Sequence, residues 1–284
     1  MKIGKYDLIP IETCKFALDG GAMFGVVPKM LWQNSNQPDE FNRVTLHARC
    51  LLLKSNNKKI LIDTGLGNNW DEKFMRIYNV DYSEFDLIKS LQTNGIKTEE
   101  ITDVIFTHLH FDHTGGSTIL ENEKWMPAFP NAKYYVQKKH FDWALNPSEK
   151  DKASFVTNRF LPLYENGMIN FIDGENNFDD EIQILISDGH TFSQQLIKIS
   201  DSSKTLLFAG DLFPFTSHIP IPYITGYDLQ PLVTIKEKKE ILKKACDEEW
   251  LIFFEHDPFT VAATITKNEK GFSVKEKFLS LSEL

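Results

Sequence analysis

Residues His108, His110, Asp112 and His113 crowd into six positions of the segment Thr107-His108-Leu109-His110-Phe111-Asp112-His113-Thr114-Gly115-Gly116. Imidazole nitrogens and carboxylate oxygens are ligands for zinc and similar divalent ions. Packed so tightly without a cation, these groups repel one another or leave hydrogen bonds unmade. A solvated polar loop is the plain alternative. Yet four of the chain's eight histidines, counting the nearby His140, fall in this region, where chance would scatter them. His140 itself reads as a helix-surface residue. Gly115 and Gly116 are read as letting the backbone turn tightly behind the site.

Three later residues stand in a matching context, each after an apolar run and before a turn. They are His190 in Ser187-Asp188-Gly189-His190-Thr191, Asp211 in Phe208-Ala209-Gly210-Asp211, and His256 in Phe253-Phe254-Glu255-His256. Any one alone would suit a structural role. Together with the loop they make seven potential ligands. Seven is too many for one tetrahedral ion and suits two ions that share a bridging carboxylate.

These residues must be carried on strand ends. The pattern predicts a strand over Val44–Lys54, a turn at Ser55-Asn56-Asn57 and a returning strand over Lys58–Asp63. Glu84–Asn94 carries Phe85, Ile88 and Leu91 at helical spacing, with Gly95 as its cap. Asp103–Thr107 and Tyr134–Gln137 read as buried strands, the second leading into a helix over Lys139–Leu145. Ile182–Ser187, Gln195–Ser200 and Thr205–Ala209 read as three short strands, the last two joined at Asp201-Ser202-Ser203. Thr234–Glu249 predicts a charged helix with Ile235, Ile241, Leu242 and Ala245 inward. Trp250–Phe254 is a last buried strand. The mixture is α/β, with packed sheets covered by helices. No repeat, low-complexity tract or linker divides the chain, so 1–284 reads as a single domain.

Composition narrows the partners. The 31 basic and 40 acidic residues give a net charge of −9. That balance opposes nucleic-acid and anionic-membrane binding, which rest on Lys and Arg meeting phosphates. The longest uncharged stretch, Leu212–Tyr227, is broken by Pro214, Pro220 and Pro222 and is unsuited to a membrane helix. The opening residues lack the apolar core of a signal peptide. Cys14, Cys50 and Cys246 are odd in number and far apart, as expected of reduced thiols in a cytoplasmic protein.

The series HLHFDH, Gly189-His190, Gly210-Asp211 and His256 resembles the metallo-β-lactamase superfamily, whose pattern is H-x-H-x-D-H…H…D…H. Ile62-Asp63-Thr64-Gly65 matches that family's early strand and turn. The resemblance covers about the whole chain. It implies an αββα sandwich, two packed mixed β-sheets flanked by helices, with metals at one edge of the sheets. By that likeness His108, His110 and His190 hold one metal, Asp112, His113 and His256 hold the other, and Asp211 bridges both. The third motif position is His110 rather than Glu, which looks like the dizinc hydrolase branch. The implied cofactors are two divalent metal ions per chain, with zinc the expected element.

A narrower likeness runs from Gly20 to Trp32 (GGAMFGVVPKMLW) and from His218 to Asp228. Both stretches look like quorum-quenching N-acyl-homoserine lactonases. Met23, Phe24 and Trp32 are thereby expected to border an apolar channel for an acyl chain, the alternative being an ordinary packed segment. The implied reaction is attack of a metal-bridging hydroxide on a lactone carbonyl, with Asp112 and Asp211 as catalytic carboxylates. Asp211 would orient the bridge and pass a proton to the leaving oxygen. Asp63 is a candidate partner for a ligand imidazole, or else a turn carboxylate. Several lactonases of this superfamily carry, three positions after the bridging Asp, a Tyr that touches the substrate carbonyl; here that position is Pro214. His218 and Tyr223 are the nearest substitutes, His218 preferred. The expected partner is a small acyl lactone, with a homodimer also possible across the apolar N-terminal segment. A glyoxalase II-like thioesterase or an organophosphate hydrolase on the same metals is the alternative.

Overall fold

The computed structural model describes residues 1–284. One sheet begins with β1 (Lys2–Ile3), β2 (Tyr6–Asp19), β3 (Arg43–Lys54), β4 (Lys59–Ile62) and β5 (Asp103–Ile105). A separate hairpin of β6 (Thr118–Glu121) and β7 (Lys124–Pro127) intervenes, and the sheet is completed by β8 (Lys133–Gln137) and β9 (Ile169–Ile172). The other sheet runs in order through β10 (Asn176–Asn177), β11 (Ile182–Ser187), β12 (Gln194–Ser200), β13 (Thr205–Phe208), β14 (Leu251–Phe253), β15 (Ala262–Asn268) and β16 (Gly271–Phe278). Both sheets are mixed. β4, β5, β8 and β9 pair in parallel, as do β13 and β14, and the remaining neighbours are antiparallel.

Period-two alternation decides which side chain meets which layer. Leu51, Leu53, Ile60 and Ile62 of the first sheet meet Leu206, Phe208, Leu251 and Phe253 of the second in a shared core. The residues between them face outward. Cys50, Leu52 and Leu61 pack under the helices Leu87–Thr93 and Lys138–Leu145. Leu207 and Ile252 pack under the helix Pro231–Asp247 through Ile241, Leu242 and Ala245. The result is helices, two mixed sheets and helices again, as expected from the sequence.

Several boundaries differ from the sequence reading for local reasons. The helix expected from Glu84 starts at Leu87, because the Asp86 side chain caps it by accepting the Lys89 N–H at 3.0 Å. Phe85 falls outside the helix and packs edge-on against His47. The helix expected from Thr234 starts at Pro231, since a proline fits the first helical turn, and Ile235 is only half-buried on it. The long strand β2 and the closing hairpin β15–β16 were not anticipated. The Gly115 backbone is helical, with φ −57°, so a turn is not its reason. A Cβ there would lie 1.8 Å from the Leu66 carbonyl oxygen, and glycine instead lets two backbone segments touch.

Candidate metal centre

The seven sequence-predicted ligands gather at one edge of the sandwich. Four follow β5, His190 follows β11, Asp211 follows β13 and His256 follows β14. The β5 loop is tied to the end of β4 by Asp63, whose carboxylate accepts the Thr107 N–H at 2.7 Å and the Thr107 hydroxyl at 2.6 Å. Asp63 pays for this with φ 56°, a left-handed backbone uncommon outside glycine.

The ligand atoms form two groups, His108–His110–His190–Asp211 and Asp112–His113–His256, with the atoms of each within 4.8 Å of one another. Asp211 faces both. Its Oδ2 lies 3.2 Å from His190 Nε2 and its Oδ1 lies 3.0 Å from His256 Nε2. His110 turns its Nδ1 to His108 Nε2 at 3.0 Å and to His190 Nε2 at 3.2 Å.

The remaining ring nitrogens fix the tautomers. His190 Nδ1 donates to Asp228 at 2.9 Å and His256 Nδ1 donates to the His47 carbonyl at 2.8 Å. His113 Nδ1 lies between Asp63 at 3.0 Å and Glu255 at 3.1 Å. Those nitrogens carry the protons, so in the neutral rings each Nε2 aims a lone pair inward. Inside, the lone pairs meet each other and the Asp211 oxygens, and Asp211 Oδ1 is buried without a hydrogen-bond partner. Protons alone would reconcile this only by charging buried rings that stand against other imidazoles. A donor set of five imidazoles and two carboxylates fits two divalent ions, and the outer hydrogen bonds orient the rings toward them.

The electrostatics divide the five imidazoles. Burial pushes the His108 and His110 pKa values well below the ordinary value, and the neighbouring imidazoles add to it. Burial would also lower His113, His190 and His256, but carboxylates outweigh it. Glu255, Asp112 and Asp211 raise His113, Asp211 and Asp228 raise His190, and Asp211 leads in raising His256 to about 9. Burial would raise Asp211, yet the surrounding imidazoles hold it well below the carboxylate range. Glu255 is pushed up to about 8 by burial, with His113 opposing.

The sequence profile of the Metallo-beta-lactamase superfamily matches residues 44–260, most of the chain and every ligand above. The chain belongs to this superfamily. Among curated proteins it is 26% identical over 253 residues to an N-acyl homoserine lactonase of Bacillus cereus, covering 84% of this chain and 89% of that protein. Among solved structures it resembles a probable metal-dependent hydrolase from Staphylococcus aureus, with TM-score 0.90, 28% identity and 99% of each chain covered. It also shares its fold with AidC, a dizinc quorum-quenching lactonase in complex with a product, at TM-score 0.80 and 21% identity over 98% of this chain and 97% of that one.

Around this metallo-β-lactamase site the expected substrate residues are packed into the protein. Met23, Phe24 and Trp32 are buried, Phe24 completely. Phe24 is stacked between Trp32 and His218, each ring centre 4.9 Å away. The reason is packing: the segment covers the end of β2 and β3, where Phe16, Val44 and Leu46 need a partner. His218 is also buried; its Nε2 donates to the Met23 carbonyl at 2.8 Å, and burial lowers its pKa to about 4. It has no second proton for a substrate carbonyl. Tyr223 is half-buried and edge-on to Phe24.

Residues not singled out from the sequence stand nearer. Tyr78 and Tyr227 are half-buried, and the charge of Asp112 reaches both phenols and helps keep them protonated, after burial itself. Phe111 packs against Tyr78 at 5.1 Å, and Phe155 against His110 at 4.8 Å. His140 is fully buried, contrary to the surface reading. Its Nδ1 donates to Phe192 and its Nε2 accepts the Leu109 N–H, both at 2.8 Å, so it braces the loop between two ligands. No helix of the chain is long and apolar enough to cross a membrane.

Proposed function

We propose that the protein is a dimetal hydrolase that opens the lactone ring of N-acyl-homoserine lactones. The observation that carries this reading is Asp211, with one oxygen toward each ligand group, together with an aromatic wall of buried Phe111 and half-buried Tyr78 and Tyr227. The names of the curated relatives support the same substrate class. Two divalent ions, with zinc the element expected, would supply Lewis-acid polarisation of an ester carbonyl and a water acidic enough to ionise near neutral pH.

The chain's own residues do the rest. His108, His110 and His190 would hold one ion, Asp112, His113 and His256 the other, and Asp211 would serve both. Asp228 and the His47 carbonyl keep the Nε2 lone pairs of His190 and His256 pointed inward. Asp211 can take a proton at its carboxylate and return it to the leaving alkoxide. The Tyr227 phenol replaces His218 as the donor for the ester carbonyl, because the charges of both Asp112 and Asp211 reach it and its O–H has no partner within the protein. The aromatic wall takes the acyl tail and keeps water from it.

The test is a panel of short- and long-chain acyl-homoserine lactones, an acyl thioester, an aryl phosphotriester and single-stranded RNA, offered to purified metal-loaded protein. The lactones should give the highest kcat/KM. A thioester or phosphotriester turned over while every lactone is refused would move the assignment to the sister activities on this centre.

A further inference from the structure

The helix Pro231–Asp247 buries a cation that has no acid in contact. Lys238 is fully buried, and its Nζ donates to the carbonyls of His218 at 2.6 Å, Pro220 at 3.0 Å, Ile221 at 3.4 Å and Tyr223 at 2.6 Å. Burial lowers its pKa to about 7, with the charge of Asp228 opposing. A methionine would fill the space without that cost, so the bonds must matter. The stretch it grips holds Pro220 and Pro222, which lack N–H groups and cannot build a regular ladder. Its carbonyls need a donor from outside the segment.

The gripped segment backs the apolar cluster that Phe24 shares with Phe111, Tyr78 and Tyr227 of the aromatic wall. His218 stacks on Phe24, and Tyr223 meets the same ring edge-on. The residue before Lys238 grips the metal side. The Glu237 carboxylate accepts the Ser187 hydroxyl at 2.7 Å, the Asp188 N–H at 2.8 Å and the Gly189 N–H at 3.2 Å, just before His190. Gly189 comes so close to the helix that a Cβ would lie 2.6 Å from the Thr234 Cα. Two adjacent side chains of one helix therefore hold one ligand-bearing turn and the segment behind the aromatic wall in register.

We propose that Lys238 is a positioning residue, a tethered cation in a cage of backbone carbonyls that fixes the His218–Tyr223 segment behind the aromatic wall while Glu237 fixes the His190 turn. The pocket assignment rests on the lactonase reading; the carbonyl cage does not. Cages of carbonyl oxygens also bind potassium and ions of similar size, so the vacated cage should accept one.

The experiment compares Lys238→Met and Lys238→Ala with the unaltered protein. Hydrogen exchange is read in segments 216–227 and 103–107, and KM and kcat are read on an acyl-homoserine lactone. Lys238→Met should speed exchange in 216–227 only, and raise KM about tenfold while kcat changes less than about threefold. Lys238→Ala should behave alike, and excess ammonium or potassium chloride should restore slow exchange and low KM where tetramethylammonium chloride does not. Should Lys238→Met fail to fold, Lys238→Ala purified in ammonium chloride and dialysed into tetramethylammonium chloride gives the same comparison. Unchanged exchange and KM in Lys238→Met, or a loss in Lys238→Ala that no cation repairs, would overturn the proposal. If no lactone is opened at all, the exchange and rescue arms still decide the cage, and only the substrate reading fails.

Discussion

Asp228 accepts a hydrogen bond from His190 Nδ1 at 2.9 Å across 38 residues of sequence. It thereby sets which His190 nitrogen is free for a metal. Replacing Asp228 with Ala should weaken metal binding about 10- to 100-fold while leaving the other ligands in place. Chelator competition measures this. An affinity equal to that of the unaltered protein would show that His190 needs no such partner.

Asp211→Asn should lower metal content and turnover together. One neutral oxygen cannot serve two cations as a carboxylate does. The unaltered protein should carry close to two divalent ions per chain, and chelation should abolish hydrolysis reversibly. Elemental analysis is the check, and one ion per chain at full activity would defeat the dinuclear arrangement.

His140 predicts a pH dependence of stability. Its folded pKa is about 4, against an ordinary value of 6.5, because burial penalises the charged ring. Between those values the unfolded chain binds a proton that the folded chain refuses. The contribution is therefore whole above pH 6.5 and is lost as pH falls toward 4, by up to about 3 kcal/mol. His140→Gln retains an acceptor and a donor but does not titrate. Its denaturation midpoints between pH 4 and 6.5 should show a slope shallower by up to one proton. An identical slope would mean that the Leu109 contact survives protonation.

The buried and half-buried aromatics should separate in kinetics. Phe24→Ala removes a core side chain and should cost about 3–5 kcal/mol of stability. Tyr227→Phe should leave stability nearly untouched and lower kcat/KM on every lactone alike, because a carbonyl donor is lost regardless of tail length. Tyr78→Ala should raise KM most for long-chain substrates. Thermal melts beside a chain-length series of kcat/KM test all three, and a long-chain penalty for Phe24→Ala without destabilisation would restore the channel there.

The ligands were legible because histidines are scarce and these clustered at strand ends. The residues that orient them were not, since Asp228 is just another loop carboxylate until the fold sets it beside His190. The partner of His256 is a backbone oxygen 209 residues away, which no side-chain pattern can reveal. His140 misled for a simpler reason. It shares a helix face with Ala144, which the core absorbs, but a polar ring suggested solvent. The apolar N-terminal residues gave a true signal of burial, and sequence could not say whether the buried surface met protein or ligand. β15 and β16 were missed because their lysines and glutamates hide the alternation of a half-exposed hairpin.

Each ligand group draws on both sheets. His108, His110, Asp112 and His113 belong to the strand ends of one sheet, while His190, Asp211 and His256 belong to the other. Neither sheet alone gives more than two donors to either group. Ions bound there would therefore act as rivets through the seam, and their binding energy would count as adhesion between the layers. Metal starvation would then do more than silence the enzyme: it would loosen the joint, expose the strand ends to proteases, and shorten the life of the empty chain relative to the filled one.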